Sequence, residues 1–157
     1  MPTTNKDIEE LAAAFVTASR ALVGIAIRSV EAAPVPVTIP QHRVLVLLAA
    51  NGPQAIGTLA QQLGVNPSNA TRVCDRLQRL DLVRRSRSDS DGRAVHVTIT
   101  AAGRRLVDAV TEHRRREVAA VLRELSPDQV EAVVEALTAF SRAAHERAEA
   151  EWPDASW

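Results

Sequence analysis

The sequence predicts a mainly α-helical fold with one small β-hairpin. Apolar residues recur at helical spacing through most of the 157 residues, whereas an alternating, strand-like pattern occurs only between residues 83 and 99. The length suits one ordinary domain that buries its own core. Hydrophobic residues make up 46% and charged residues 24%, a composition typical of a soluble globular protein.

The first helix is predicted from residue 5 to residue 32, and it carries two apolar stripes. The first stripe consists of Ile8, Leu11, Phe15, Leu22 and Ile25, and the second of Val16, Val23, Ile27 and Val30. One stripe is enough for the surface helix of a monomer. Two stripes indicate contact on two sides, with its own domain and with a partner chain; a helix in the centre of the core is the alternative. Alternating prolines then make residues 33–37 a linker.

Three shorter helices are predicted next. Thr38 and Gln41 have the spacing of a capping box, and the helix that they open ends at residues 51–53, Asn-Gly-Pro. A second helix is predicted over residues 54–63. Asn66 caps a third helix, with Pro67 at its first position. Two short helices joined by a tight turn that contains Gly64 form a helix-turn-helix pattern, although an ordinary corner between two helices has the same pattern.

The third of these helices separates its residues by face. Its inward face carries Ala70, Val73, Cys74, Leu77 and Leu80, and its outward face carries Ser68, Asn69, Thr71, Arg72, Asp75, Arg76 and Arg79. Short hydroxyl and amide side chains can reach base edges in a major groove, and arginine can bind guanine or phosphate. The outward face therefore has the chemistry of a DNA-recognition helix.

A β-hairpin is predicted after this helix. Residues 83–87 and 95–99 form its strands, and residues 88–93 form a polar turn that contains Asp-Gly. A helix-turn-helix followed by a hairpin is a winged helix. Arginine at the tip of such a wing can enter a narrow minor groove.

Two helices are predicted in the rest of the chain. Thr100 caps the first, which continues to about Leu125, and residues 126–129 repeat the capping-box spacing. The last helix continues to about Arg147. The tail from residue 149, which contains Trp152 and Trp157, is expected to be loosely held.

Charge is unevenly distributed although the formal net charge is zero. Residues 66–105, the basic island, hold nine arginines against four aspartates. Residues 106–157 hold six arginines against eleven acidic residues. A local basic patch attracts a polyanion, and a solvated charged face is its ordinary alternative.

Several functional classes are disfavoured. The single cysteine, Cys74, excludes an internal disulfide framework and a set of zinc-finger ligands. Uninterrupted apolar runs such as residues 44–50 are far shorter than the roughly 20 residues of a membrane span, and the first ten residues are too acidic for a signal peptide. The four histidines are scattered, and no phosphate-binding loop or nucleophile elbow is found. We therefore expect a cytoplasmic protein with no enzymatic activity, metal, cofactor or membrane contact.

Motifs in a fixed order resemble those of a known family. The first motif spans residues 65–73 and continues to Arg76-Leu77, and the second spans residues 82–85. The third is Asp91-Gly92-Arg93, followed by residues 97–100 and Gly103. The fourth spans residues 125–129. In this order and spacing the chain resembles the MarR family of transcriptional regulators, from about Thr38 to Arg147. Many relatives carry glycine after the recognition helix, where this chain has Leu80-Asp81.

The resemblance implies a single MarR-like domain over residues 1–157. Residues 38–100 would form its winged helix-turn-helix DNA-binding part, and residues 5–33 and 101–148 its dimerisation helices. The homodimer would bind a pseudo-palindromic double-stranded operator with half-sites about 10 bp apart. The matching positions assign major-groove contacts to Ser68, Asn69, Thr71, Arg72 and Arg76, and a minor-groove contact at the tip of the wing to Arg93. Arg87 is a further candidate DNA contact. Asp91 would brace the wing by pairing with Arg85.

The implied activity is that of a repressor that a small aromatic or anionic effector releases from DNA. The effector-binding residues are unknown. Arg20, His42 and Arg43 are candidates for the expected cleft by position, and ordinary solvation at the surface is the favoured interpretation of each. Two other functions stay open: a redox-responsive regulator that uses Cys74, and a helical interaction protein that does not bind DNA. Single-stranded nucleic acid is disfavoured because aromatic residues, on which unpaired bases stack, make up only 3% of the chain.

Overall fold

The computed structural model describes residues 4–87 and 94–154. The elements occur in the order α1 (Asn5–Glu31), α2 (Ile39–Asn51), β1 (Gln54–Ala55), α3 (Ile56–Leu63), α4 (Pro67–Arg79), β2 (Val83–Arg87), β3 (Val95–Ile99), α5 (Ala101–Leu122), α6 (Pro127–Ala143) and a 3₁₀ turn (Glu149–Glu151). Helices dominate, and the strands form one small antiparallel sheet in the order β1-β3-β2. This confirms the mainly α-helical fold with a β-hairpin wing.

The helix starts lie where the capping residues predict them. Thr38 and Ser126 each form a complete capping box with the glutamine three residues later. Asn66 and Thr100 each accept a hydrogen bond from the backbone N–H three residues on. These side chains satisfy N–H groups that have no partner within the helix, which is why they locate helix starts so well.

The hydrophobic core lies where α2 meets α4, the base of the hairpin and the first half of α5. Its most deeply buried side chains are Val44, Leu45, Leu48, Leu59, Cys74, Leu77, Leu82, Val83, Val97, Leu106, Val107 and Val110. The C-terminal half of α5 and all of α6 contribute no buried residue. The part of the chain from α2 to the first half of α5 is therefore well packed by this chain alone, and the last helix is not.

The prediction of a continuous helix over residues 54–63 was wrong at its start. Gln54 and Ala55 form strand β1, which pairs antiparallel with Val97 and His96 of β3. The Nε2 of Gln54 also donates a hydrogen bond to the carbonyl of Leu47 at 3.0 Å, which fixes the residue outside α3. Two residues are too few for a strand to leave a recognisable period in the sequence.

The expectation of a loosely held tail was also wrong for the described residues 149–154. Trp152 packs partly buried against the core, and its Nε1 donates to the carbonyl of Arg147 at 3.2 Å. The guanidinium of Arg104 lies 5.5 Å from the centre of the Trp152 ring, a cation–π distance. The helix before it ends at Ala143 because His145 has a φ of 56°, which turns the chain back.

Helix α1 has an unusually apolar surface. By length and composition alone it could cross a membrane, with a mean hydropathy of 1.6, a property that the search for uninterrupted apolar runs missed. The same helix packs against α5, where Arg28 pairs with Glu117 at 2.5 Å. Only 6% of the apolar window is buried inside this chain, so it is not the central core helix that was the alternative to a two-sided contact.

Asp81, which stands where many relatives carry glycine, has a φ of 56°. A left-handed conformation costs a non-glycine residue about 1–2 kcal/mol. Glycine avoids this cost, but it loses more conformational entropy on folding, which offsets part of the gain in stability. We expect Asp81→Gly to raise the free energy of unfolding by about 0.5 kcal/mol. Urea denaturation measures the change. A loss of stability would mean that the Asp81 carboxylate makes a contact that the backbone geometry does not require.

Candidate nucleic-acid interface

Helices α3 and α4 form the helix-turn-helix. Gly64 ends α3 in the left-handed conformation with a φ of 66°, and Val65 donates to the carbonyl of Ala60 at 3.0 Å. Asn66 then opens α4 with its side-chain oxygen 2.9 Å from the N–H of Asn69. The turn between the helices is thus closed by hydrogen bonds and fixes the start of α4.

The two faces of α4 are as predicted. Ala70, Cys74 and Leu77 are fully buried in the core. The exposed residues of the opposite face are Ser68, Asn69, Arg72, Arg76 and Arg79, and Thr71 is half-buried beside them. The α4 side chains proposed to contact DNA therefore lie on the face that points away from the core.

The hydroxyl groups at the start of α4 have local partners. The Ser68 hydroxyl donates to Oδ1 of Asn66 at 2.7 Å, and the Thr71 hydroxyl donates to the carbonyl of Pro67 at 2.9 Å. Both oxygens keep lone pairs that can accept from the amino group of a base. Within the described residues, the side chains of Asn69, Arg72 and Arg76 make no hydrogen bond or ion pair.

An ion pair joins the recognition helix to the wing. The Nη2 of Arg85 on β2 lies 2.6 Å from Oδ1 of Asp75 on α4, and it also approaches the carbonyl of Thr71 at 3.4 Å. The helical pattern predicts only that Asp75 lies on the outward face of α4, so this ion pair was not predicted. Strand alternation could have indicated it, because residues two apart in a strand lie on the same side. Arg85 therefore points to the same side as the buried Val83, towards α4.

The structure describes only part of the predicted wing. Arg84 and Arg87 are exposed on β2, and Arg87 pairs in register with Val95 of β3. Asp91 and Arg93, the predicted brace and the predicted minor-groove contact, lie outside the described residues. The assignments of both, including a pairing of Asp91 with Arg85, stay predictions.

The base of the hairpin is fastened to the start of α5. The Thr100 N–H donates to the carbonyl of Leu82 at 3.0 Å, and its hydroxyl donates to the carbonyl of Asp81 at 2.7 Å. The same hydroxyl oxygen accepts from the N–H of Gly103 at 3.0 Å. One capping residue thus connects the end of the recognition helix, the hairpin and the long helix.

Cys74 lies in the core behind the recognition helix. Its side chain is fully buried, and burial raises the pKa of the thiol above its ordinary value. The thiolate is the reactive form of cysteine, so this environment favours the inert thiol. The geometry gives no support to the alternative of a redox-responsive regulator.

A second site is a cleft of about 460 Å³ between α2, α5 and the C-terminal segment. Its lining includes four arginines, Arg43, Arg114, Arg115 and Arg147, together with Glu146, Glu149, His42 and Trp152. The cleft therefore combines a net positive charge with an aromatic ring. The sequence favoured ordinary surface solvation for His42, Arg43 and Arg20. His42 and Arg43 line the cleft, and His42 is buried, whereas Arg20 is not among the described residues that line it.

Two side chains in this cleft lack an acidic partner among the described residues. His42 is 5% exposed, and its Nε2 makes no hydrogen bond to any residue that the structure describes. Burial, with Arg114 and Arg43 nearby, lowers the pKa of His42 to about 4, so the ring is neutral at pH 7. The half-buried Arg114 donates from Nε to the hydroxyl of Ser29 at 3.3 Å, and burial lowers the pKa of its guanidinium.

The fold and the exposed arginine-bearing helix define the class of winged helix-turn-helix proteins. The MarR family model matches residues 37–95. The fold is similar to the crystal structure of RV1404 from Mycobacterium tuberculosis, with 38% identity, coverage of 92% of this chain and 99% of that chain, and a TM-score of 0.84. The chain belongs to the MarR family.

Two further proteins are similar to this chain. A MarR family protein from Bacillus stearothermophilus has a TM-score of 0.78 at 23% identity, with 90% of this chain and 98% of that chain covered. YfiV of Bacillus subtilis, an uncharacterized HTH-type transcriptional regulator, is 34% identical over 68% of this chain. The match spans 66% of the length of YfiV, about two thirds.

Proposed function

We propose that the protein is a transcriptional regulator that binds double-stranded DNA as a homodimer and acts as a repressor. The observation that carries the proposal is the exposed face of α4, on which Asn69, Arg72 and Arg76 have no side-chain partner among the described residues. A major groove is wide enough to admit an α-helix with such a face. The Asp75–Arg85 pair ties this helix to the wing, so the two elements would meet DNA in a fixed arrangement. MarR-family regulators bind DNA and act as dimers, which supports the same function.

The test is fluorescence anisotropy of the purified protein on duplex DNA from its own promoter, with a scrambled duplex as control. A salt series is needed because phosphate contacts release counterions and steepen the dependence of affinity on salt. We expect tight binding to the promoter, a steep salt slope and a large preference over the scrambled duplex. Equal, weak binding to both duplexes, together with equal binding to a library of genomic fragments, would contradict a sequence-specific regulator.

The proposed homodimer is supported by apolar surface that this chain leaves uncovered. The exposed large apolar residues of α1, α5 and α6 are Ile8, Leu11, Val16, Leu22, Val23, Ile27, Val121, Val134, Leu137 and Phe140. Phe15 of α1 stacks on Phe140 of α6 at 4.6 Å between ring centres, which makes the two helices one continuous surface. A second copy of the chain carries the same surface, so an isologous contact covers both at once.

Val23→Lys tests this surface. Val23 is 56% exposed, so a lysine there leaves the packing within the chain unchanged, but it places a charge in the proposed dimer contact. We expect sedimentation velocity to show a monomer where the unmodified protein is a dimer. Val95→Lys, at a valine exposed on the wing, is the matched control and should stay dimeric. A fully dimeric Val23→Lys protein would remove this stripe from the interface.

The cleft is the proposed effector site, and its cations with Trp152 suit a small aromatic anion. A half-buried guanidinium without an ion pair, as in Arg114, gains most from an anionic ligand because it is poorly solvated. The cleft lies between α2 of the proposed DNA-binding part and α5 of the proposed dimerisation part. A ligand in the cleft can therefore change the arrangement of α2 relative to α5. Release of DNA by such a ligand is therefore part of the proposed function.

Arg114→Met tests the effector step, with sodium benzoate as the probe added to the preformed protein–DNA complex. We expect benzoate to lower the anisotropy of the complex with the unmodified protein and to have at least about tenfold less effect on the variant, the scale of one charge-assisted hydrogen bond. Arg114→Lys keeps the charge and serves as the control. Release of the Arg114→Met protein at the same benzoate concentration would contradict a role for the cleft.

A further inference from the structure

The C-terminal strap, residues 146–152, forms one wall of the cleft. It follows the reversal at His145, and Arg147 holds it by one hydrogen bond to α2 and one within the strap. The Nη1 of Arg147 donates to the carbonyl of Ala50 at 2.8 Å, and its Nη2 donates to the carbonyl of Glu151 at 2.7 Å. Trp152 packs against the core at the far end. The strap is thus fastened at both ends across the cleft.

Two carboxylates of the strap occupy two of the guanidinium groups in the cleft. Glu146 binds Arg43 in a bidentate manner, with both oxygens at 2.7 Å from the two terminal nitrogens. Glu149 pairs with Arg115. The first pair connects the strap to α2, and the second connects it to α5. The arginine beside Glu146 also lowers the pKa of that carboxyl, so it is ionised at neutral pH.

The remaining positive charge in the cleft is not neutralised by the strap. Four arginines and two glutamates line the cleft, which leaves a formal charge of +2 there. Arg114 forms no ion pair with a described residue, and the buried Nε2 of His42 lies in the same lining. The strap therefore pairs its carboxylates with Arg43 and Arg115, and it leaves Arg114 and His42 without an ion pair among the described residues.

We propose that Glu146 and Glu149 are internal carboxylate ligands of the cleft, and that an anionic effector binds by displacing them. A carboxylate of an effector and a carboxylate of the strap make the same hydrogen bonds to a guanidinium, so they compete directly for Arg43 and Arg115. The inference deepens the proposed effector site, on which it rests, by naming what the effector replaces.

The exposure of these ion pairs makes the exchange feasible. Arg43 and Glu146 are each more than a third exposed, as are Arg115 and Glu149. Such pairs are screened by water and contribute little to stability, so a ligand that also contacts Arg114 and Trp152 can replace them. Displacement would break the ion pairs that join the strap to α2 and α5, and would leave Arg147 and Trp152 as its remaining anchors. Binding in the cleft would then be coupled to the link between the DNA-binding part and the long helix.

Isothermal titration calorimetry with sodium benzoate, in the absence of DNA, tests the competition. We expect the Glu146→Gln/Glu149→Gln protein to bind benzoate about tenfold more tightly than the unmodified protein, since two weak ion pairs no longer compete. The matched control is Glu112→Gln/Glu124→Gln, which makes the same change in net charge on exposed positions outside the cleft. Its affinity for benzoate should rise by less than about twofold because those charges are screened.

Hydrogen exchange supplies a second readout on the unmodified protein. Saturating benzoate should speed the exchange of amides in residues 146–152 while amides of α4 stay unchanged. Unchanged or weaker affinity in the double glutamine variant, absence of binding by either protein, or slower exchange in the strap would each overturn the proposal. Because no DNA is present, these results are independent of whether the protein binds an operator.

Discussion

Gly103→Ala is expected to abolish stable folding of the winged part or to lower the free energy of unfolding by about 3 kcal/mol or more. Gly103 is buried in the first turn of α5. A Cβ on this residue would overlap the carbonyl oxygen of Leu82 and lie 2.8 Å from Cγ1 of Ile99. The obstacle is backbone at the start of β2, so no change of a side-chain rotamer can relieve it.

The loss of stability would extend beyond Gly103, because the contact between Gly103 and Leu82 joins α5, the hairpin and the end of α4. The carbonyl of Leu82 accepts the hydrogen bond from Thr100, and Thr100 in turn caps the helix at Gly103. Moving Leu82 away from an added methyl group would break that bond and leave buried polar groups without partners. The hairpin and the end of the recognition helix would lose their common anchor.

Gly57→Ala is the matched control. Nothing lies within 4 Å of a Cβ built on Gly57, in the first turn of α3. We expect this variant to be neutral or more stable by up to about 1 kcal/mol, the difference in helix propensity between glycine and alanine. Urea denaturation followed by circular dichroism measures both variants. An equal stability for the two would show that α5 can move away from Leu82 at no cost, contrary to the packing described.

Local signals predicted most of the fold because each depends on only a few neighbouring residues. Thr38, Asn66, Thr100 and Ser126 mark helix starts through hydrogen bonds that span three residues. The inward face of α4 follows from helical period alone. The turn at Asp81 is also a local feature. It requires a positive φ, which a short polar residue such as aspartate can adopt, so the turn forms without glycine.

The features that the sequence does not predict, strand β1 and the ordered strap, depend on long-range contacts. Strand β1 exists because Gln54 and Ala55 meet β3 more than forty residues later in the chain. The strap is ordered because Trp152 reaches the core and Arg147 reaches Ala50, neither of which any local period encodes. The pairing of Asp75 with Arg85 falls between these cases, since strand alternation points the arginine inward but does not identify its partner.

Arg72→Ala/Arg76→Ala is expected to have the largest effect on DNA binding of any change to exposed residues. One good arginine contact with a base contributes about 1–3 kcal/mol, so the double variant should bind the operator about a hundredfold more weakly or worse. Both side chains are exposed and neither pairs with a described residue, so their removal should leave the free energy of unfolding nearly unchanged. Anisotropy on the promoter duplex and urea denaturation measure the two quantities.

The single variants separate the two roles that these arginines can have. An arginine that contacts a base edge gives specificity, so its loss should reduce the preference for the promoter over the scrambled duplex. An arginine that contacts phosphate should weaken both duplexes alike and reduce the salt slope by about 1. Arg72 lies one turn nearer the start of α4 than Arg76, which favours Arg72 for the base and Arg76 for phosphate. Arg116→Ala, on the exposed side of α5, is the control for a loss of charge alone; if it weakens binding as much as the double variant does, the face of α4 is not the DNA-binding surface.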